Sequence, residues 1–84
     1  MTVAIIYDIK NNTKRTKLAN ELFRYGIRVQ KSVFEADITK KEYSKLQDIA
    51  YKYSDDEDKV SIYEILSTKR FGDIEYIENF DLIY

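Results

Sequence analysis

The 84 residues contain neither cysteine nor histidine, so any chemistry must come from carboxylates, hydroxyls, lysine, arginine or tyrosine. That excludes thiol nucleophiles, histidine acid–base catalysis and the usual zinc ligand sets, and a bound metal would be a hard, oxygen-ligated cation. One carboxylate is placed conspicuously. Asp8 directly follows the apolar run Val3-Ala4-Ile5-Ile6-Tyr7. By spacing alone it reads first as a cap on the following loop, a common task for aspartate. The second reading is a strand-end acid that meets its own copy across a two-fold axis. Two such carboxylates suffice for Mg²⁺, which takes one or two from protein and keeps several waters. The acidic run Asp55-Asp56-Glu57-Asp58 lacks the alternating ligands and glycine of an EF-hand loop and reads as a solvated turn.

The formal net charge of −1 conceals an asymmetry along the chain. Residues 10–31 hold Lys10, Lys14, Arg15, Lys17, Arg24, Arg28 and Lys31 against Glu21 alone, whereas residues 55–84 set nine acids against three bases. A fold that kept these segments apart would present one basic and one acidic face. Lys14, Arg15 and Lys17, with Arg28 and Lys31, form either a phosphate-binding surface or a solvated helix face, and the pattern leaves both open. Phe34 and the eight tyrosines offer rings on which bases could stack. Tyr43, Tyr53 and Tyr63, however, fall at positions where periodicity predicts core.

These residues need a scaffold, and the hydrophobic pattern specifies one. The β-branched run ending at Asp8 predicts a central strand buried on both faces. Asn11, Asn12 and Thr13 supply capping oxygens, and Leu18, Ala19, Leu22 and Phe23 continue at helical spacing, predicting a helix over 13–25 stopped by Gly26. Residues 27–31 and 32–37 predict two strands joined by a bent or bulged hairpin rather than a standard two-residue turn. Thr39-Lys40-Lys41-Glu42 has capping-box spacing and opens a second helix carrying Tyr43, Leu46, Ile49, Ala50 and Tyr53. A strand follows over 60–66, then a linker over 67–72 and two short strands at 74–77 and 81–84. The order β-α-β-β-α-β is that of a ferredoxin-like α+β domain, with two helices on one face of an antiparallel sheet and the other face open. We therefore expect a single domain over 1–84 that dimerises through the open face, its C-terminal extension 67–84 lying along the partner's sheet edge. The longest apolar run is far too short to cross a membrane, so a soluble, cytoplasmic protein without membrane contact is expected.

Three blocks carry a resemblance: Val3-Ala4-Ile5-Ile6-Tyr7-Asp8-Ile9, then Lys14-Arg15-Thr16-Lys17-Leu18-Ala19, then Tyr25-Gly26-Ile27-Arg28-Val29-Gln30-Lys31-Ser32-Val33-Phe34-Glu35. Together they resemble the N-terminal half of the CRISPR-associated protein 2 family, and the last block is the most specific. The resemblance implies a symmetric ferredoxin-like homodimer in which Asp8 is the interfacial Mg²⁺-binding acid, reversing the order of the two readings of that residue. It also implies that Tyr7, Arg15, Arg28 and Phe34 fall on positions associated with nucleic-acid contact or cleavage. Lys17 stands where arginine is frequent, keeping the charge but not the bidentate fork. Two roles follow from the resemblance. One is a scaffold that bridges copies of the integrase, CRISPR-associated protein 1, and holds double-stranded DNA during spacer capture. The other is a metal-dependent endonuclease cleaving single-stranded RNA or double-stranded DNA with Asp8 as the catalytic residue. A toxin-like RNA interferase or a regulatory dimer on the same fold is a third class.

Overall fold

The computed structural model describes all of residues 1–84. Its elements are β1 (Thr2–Asp8), α1 (Asn12–Leu22), β2 (Gly26–Gln30), β3 (Val33–Asp37), α2 (Lys40–Tyr53), β4 (Lys59–Phe71) and β5 (Ile74–Leu82). They build a five-stranded sheet in the order β2-β3-β1-β4-β5, with every neighbouring pair antiparallel. The first four strands have the order of the ferredoxin-like fold, and β5 extends the sheet beyond β4. No helix is long and apolar enough to cross a membrane.

Strand alternation decides what each face of β1 does. Val3, Ile5 and Tyr7 are buried in one cluster with Leu18 and Leu22 of α1, Leu46 of α2, Phe34 of β3 and Ile62 of β4. Both helices therefore cover that face. Ala4, Ile6 and Asp8 have the opposite parity, and Ile6 is 42% exposed on the open side. Ala4 and Ile6 line a groove of about 290 Å³ with Tyr63, Ile65, Ile77 and Phe80, all six of them apolar. The central strand is thus covered on one face only within this chain.

Local signals explain most boundaries. Asn11 caps α1 by accepting the Lys14 N–H at 3.0 Å. The capping box of α2 is complete: Thr39 Oγ1 accepts the Glu42 N–H at 3.2 Å, and Glu42 Oε1 accepts the Thr39 N–H at 3.0 Å. Three expectations need correction. Gly26 does not stop α1. The helix ends at Leu22, and Gly26 begins β2, where a Cβ would run into the Glu35 carbonyl oxygen and stand 2.8 Å from the Ala36 Cβ. Between β2 and β3 lies a two-residue turn, Lys31-Ser32, with Ser32 at φ 67° and a register irregularity between Arg28 and Gln30. The bulge was legible, but the tight turn was not. Finally, residues 67–71 form the far half of β4 rather than a linker, and a single β5 replaces two short strands. Gly72, at φ 61°, makes the turn between them.

Candidate nucleic-acid interface

The β2–β3 turn folds back onto the central strand, where the Tyr7 N–H donates to the Ser32 carbonyl at 3.1 Å. That bond closes one side of a pocket of about 330 Å³ between α1 and β2. Its cationic walls are Arg15, Arg28 and Lys31, and Tyr7 and Phe23 contribute its aromatic surface. The polar side chains of Thr16 and Asn20 complete the helix wall.

Each guanidinium is held before any ligand arrives. Arg15 Nη1 donates to the Ile9 carbonyl at 2.8 Å, and Nη2 donates to Asn12 Oδ1. Since arginine has five donors in a fixed fork, this tether orients the group and leaves donors over for a phosphate. The Arg28 carbon Cζ lies 5.3 Å from the Phe23 ring centroid and 5.4 Å from that of Phe34, so the cation rests on two aromatic rings. Those rings pack edge to face at 4.9 Å. Tyr7 stacks beyond, 6.3 Å from Phe34.

Of the residues singled out in the sequence, Tyr7, Arg15, Arg28 and Lys31 converge on this pocket, while Lys14, Lys17 and Phe34 do not line it. Phe34 needs a correction. It is wholly buried and presents no ring face to a base, so its role is to support Arg28 from beneath. Lys14 points to the acidic turn, its Nζ 2.6 Å from Asp55 Oδ1, and Lys10 likewise reaches Glu57 Oε2 at 3.3 Å. Basic and acidic segments therefore meet here rather than occupying separate faces. Lys17 is exposed on α1. Asp58 braces the turn by accepting the backbone N–H groups of Asp55 at 2.8 Å and Lys10 at 3.1 Å. Those two bonds hold its carboxyl below the ordinary value of 3.8.

Five of the 9 residues lining the pocket, Thr16, Ala19, Asn20, Phe23 and Ser32, escaped the sequence reading. Phe23 fits the core stripe of α1 by spacing, yet it stands just beyond the last residue of the helix and is 52% exposed. Thr16, Asn20 and Phe23 are four and three residues apart, the spacing of one helix face, which is the signal that would have grouped them.

Asp8 lies outside the pocket. It ends β1 opposite Lys59 of β4, exposed, on the same side of the sheet as Ala4 and Ile6. It forms no ion pair, so its carboxylate is accessible to a hard cation.

A ferredoxin-like sheet with one helix-covered face, one open apolar face and a cation-walled pocket defines the class of this protein. Residues 1–73 match the family model of CRISPR associated protein Cas2, and the chain belongs to that family. It is 43% identical over 65 residues to the CRISPR-associated endoribonuclease Cas2 of Mycobacterium tuberculosis, covering 77% of this chain but 58% of that relative. It is 41% identical over 63 residues to the CRISPR-associated endonuclease Cas2 2 of Thermus thermophilus, covering 74% of this chain and 70% of the relative. Among solved structures, a hypothetical protein from Thermus thermophilus superposes with a TM-score of 0.77 at 34% identity over 90% of this chain and 94% of the other. Streptococcus pyogenes Cas2 at pH 6.5 superposes with a TM-score of 0.71 at 27% identity, covering 76% and 84% of the two chains.

Proposed function

We propose that this chain is a homodimeric nucleic-acid scaffold of CRISPR adaptation that works with the integrase, CRISPR-associated protein 1, to hold double-stranded DNA while a new spacer is inserted. The observation that carries this reading is the pocket itself: two oriented guanidiniums and a lysine converge beside an exposed helix face. Such groups neutralise phosphates whatever the base sequence, as a scaffold for arbitrary spacers requires. The open apolar face supplies the dimer surface. The C-terminal extension ends the sheet as β5, whose outer edge is the one that would lie against the partner protomer or the integrase.

A second reading, a metal-dependent endonuclease of RNA or DNA, draws on Asp8 and on the names of the relatives. Asp8 shares the open face with Ile6, so face-to-face dimerisation about an axis near the end of β1 would bring two copies together. A Mg²⁺ held there would activate water and neutralise charge on a phosphodiester. The chain's own part would be to present the two carboxylates and to fix phosphates with Arg15 and Arg28.

Spacer integration in vitro with the cognate integrase separates the two readings, using wild type and an Asp8→Ala dimer verified by light scattering. Equal integration is expected and supports the scaffold. If Asp8→Ala still binds duplex and integrase but no longer supports integration, the endonuclease reading takes precedence. An Arg15→Ala, Arg28→Ala double variant is expected to lose duplex binding and integration together.

A further inference from the structure

The Asp8 carboxylate forms no ion pair, even with Lys59, its partner across the β1–β4 pairing. Its direction is therefore set by the backbone around it, at the point where both ladders of β1 run out. The β1–β3 register stops at Ile6 opposite Val33, and the β1–β4 register stops at Asp8 opposite Lys59. A strand end of this kind frays unless its free peptide groups are taken up.

Here they are taken up on both sides. Towards β3, the Tyr7 N–H donates to the Ser32 carbonyl at 3.1 Å. Beyond Asp8, a single peptide group is gripped at both ends. Its oxygen, the Ile9 carbonyl, accepts from Arg15 Nη1 at 2.8 Å, and its N–H, that of Lys10, donates to Asp58 Oδ1 at 3.1 Å. Both bonds use a charged side chain, which makes them the stronger kind. Asp58 is itself fixed, because its Oδ2 accepts the Asp55 N–H at 2.8 Å while its own N–H donates to the Asp55 carbonyl at 2.9 Å. The buried Ile9 side chain anchors the path of the chain, and the two charged groups set the tilt of the peptide plane. Of the four acids in the α2–β4 turn, Asp55 and Glu57 meet lysine side chains, whereas Asp58 bonds to the backbone next to Asp8. Water would satisfy an exposed N–H; a carboxylate held by two backbone N–H groups adds a fixed direction.

From this arrangement we infer that Asp58 is a positioning residue for Asp8: with Arg15 it clamps the Ile9–Lys10 peptide and so fixes the direction in which the strand-end carboxylate is offered to a divalent cation. The inference rests on the metal reading of Asp8 and deepens it. In a symmetric dimer the clamp acts twice, once beside each of the two carboxylates that share the ion. Carboxylates aimed before the ion arrives bind it without the cost of being ordered.

The test titrates Mg²⁺ alone into the full chain by calorimetry, with light scattering to follow the dimer and circular dichroism the fold. Asp58→Ala is expected to stay dimeric and to bind Mg²⁺ about tenfold more weakly, the loss typical of removing a group that orients a metal ligand. Thr39→Ala serves as the control, since it removes the cap at the other end of α2 and lowers the melting temperature without touching the clamp. Its Mg²⁺ affinity should stay within roughly twofold of wild type. Should the alanine chain not fold, Asp58→Asn, which keeps one oxygen for the Lys10 N–H, takes its place with the same outcomes at smaller size. Unchanged affinity in the Asp58 variant overturns the inference and leaves the Asp8 reading in place. Equal losses in the Asp58 and Thr39 variants, or a loss that accompanies dissociation of the dimer, assign Asp58 to the fold alone and also overturn it. If wild type binds no Mg²⁺, or Asp8→Ala binds it as well as wild type, the metal reading of Asp8 fails and takes the inference with it.

Discussion

At the scale of single residues, Gly26 shows how function can depend on an absent side chain. Its backbone lies against Glu35 and Ala36 so closely that an added Cβ would require the two strands to separate. Two residues further along β2, on the same face, is Arg28, whose guanidinium rests on Phe23 and Phe34. A Gly26→Ala change should therefore cost about 2 kcal/mol, as overpacking of a close contact does. In a domain of this size that corresponds to a fall in melting temperature of roughly 4–8 °C per kcal/mol, measurable by calorimetry. Nucleic-acid binding should weaken as well, since the strand that moves carries Arg28; an unchanged melting temperature would show that the sheet edge absorbs the methyl group. The sequence disclosed that Gly26 was special but suggested the wrong reason. A glycine after a helical stripe reads as a stop signal, whereas the actual constraint comes from residues 35 and 36, which only the folded sheet brings near.

At the scale of elements, strand and helix identities were legible because β1 is a continuous β-branched run, α1 and α2 open on caps that the structure realises, and α2 carries a clear helical periodicity. The second half of β4 was not. Ser67, Thr68, Lys69 and Arg70 show little apolar alternation because this stretch pairs with β5 and lies beyond the reach of β1, whose pairing with β4 stops at Glu64. Cations were legible as a cluster, but their division was not, since it depends on where the α2–β4 turn lands. That turn takes Lys10 and Lys14 through Glu57 and Asp55, leaving Arg15, Arg28 and Lys31 to the pocket. On the proposed nucleic-acid reading, the acidic turn would compete with phosphate for two of the seven cations of the basic segment. Asp55→Asn combined with Glu57→Gln should strengthen duplex binding severalfold. It should also steepen the salt dependence of log K by up to about 2, as two lysines become free to displace counterions. An unchanged slope in a salt titration would show that the ion pairs, exposed as they are, hold nothing back. Asp58 should stay intact in this variant, because its bonds to Asp55 and Lys10 shape the turn. Its lowered carboxyl value means that this bracing is present above 3.8 and is lost only as pH falls through the still lower folded value, so the turn is no switch near neutrality.

At the scale of the whole molecule, the central question is what covers the open face of the sheet. Only 14 of 84 residues are buried, a small core for a chain that must remain folded. Meanwhile Ile6, Phe80 and Leu82 stand 42%, 58% and 60% exposed on the open side, around a groove with no polar lining residue. Apolar area of this kind on so small a domain calls for a partner surface, and a second copy supplies one that is self-complementary. Ile6→Arg tests this directly. In the isolated chain Ile6 is part-exposed and outside the buried cluster, so the charge is tolerated by the fold, whereas in a face-to-face dimer two arginines would be forced together in an apolar seam. Light scattering should give about 20 kDa for wild type, twice the 10.0 kDa of one chain, and a value near one chain for Ile6→Arg with its helical circular-dichroism signal intact. A wild type that elutes as one chain at micromolar concentration would remove the dimer and, with it, the pairing of Asp8. If the dimer forms, Ile6→Arg has a further consequence that follows from parity: Asp8 lies two residues away on the same face, so separating the copies separates the two carboxylates. Mg²⁺ binding by calorimetry should then be lost in Ile6→Arg as completely as in Asp8→Ala, although every Asp8 carboxylate is still present. Retained Mg²⁺ affinity in the monomeric variant would mean that the cation is held within one chain, and the shared site would have to be abandoned.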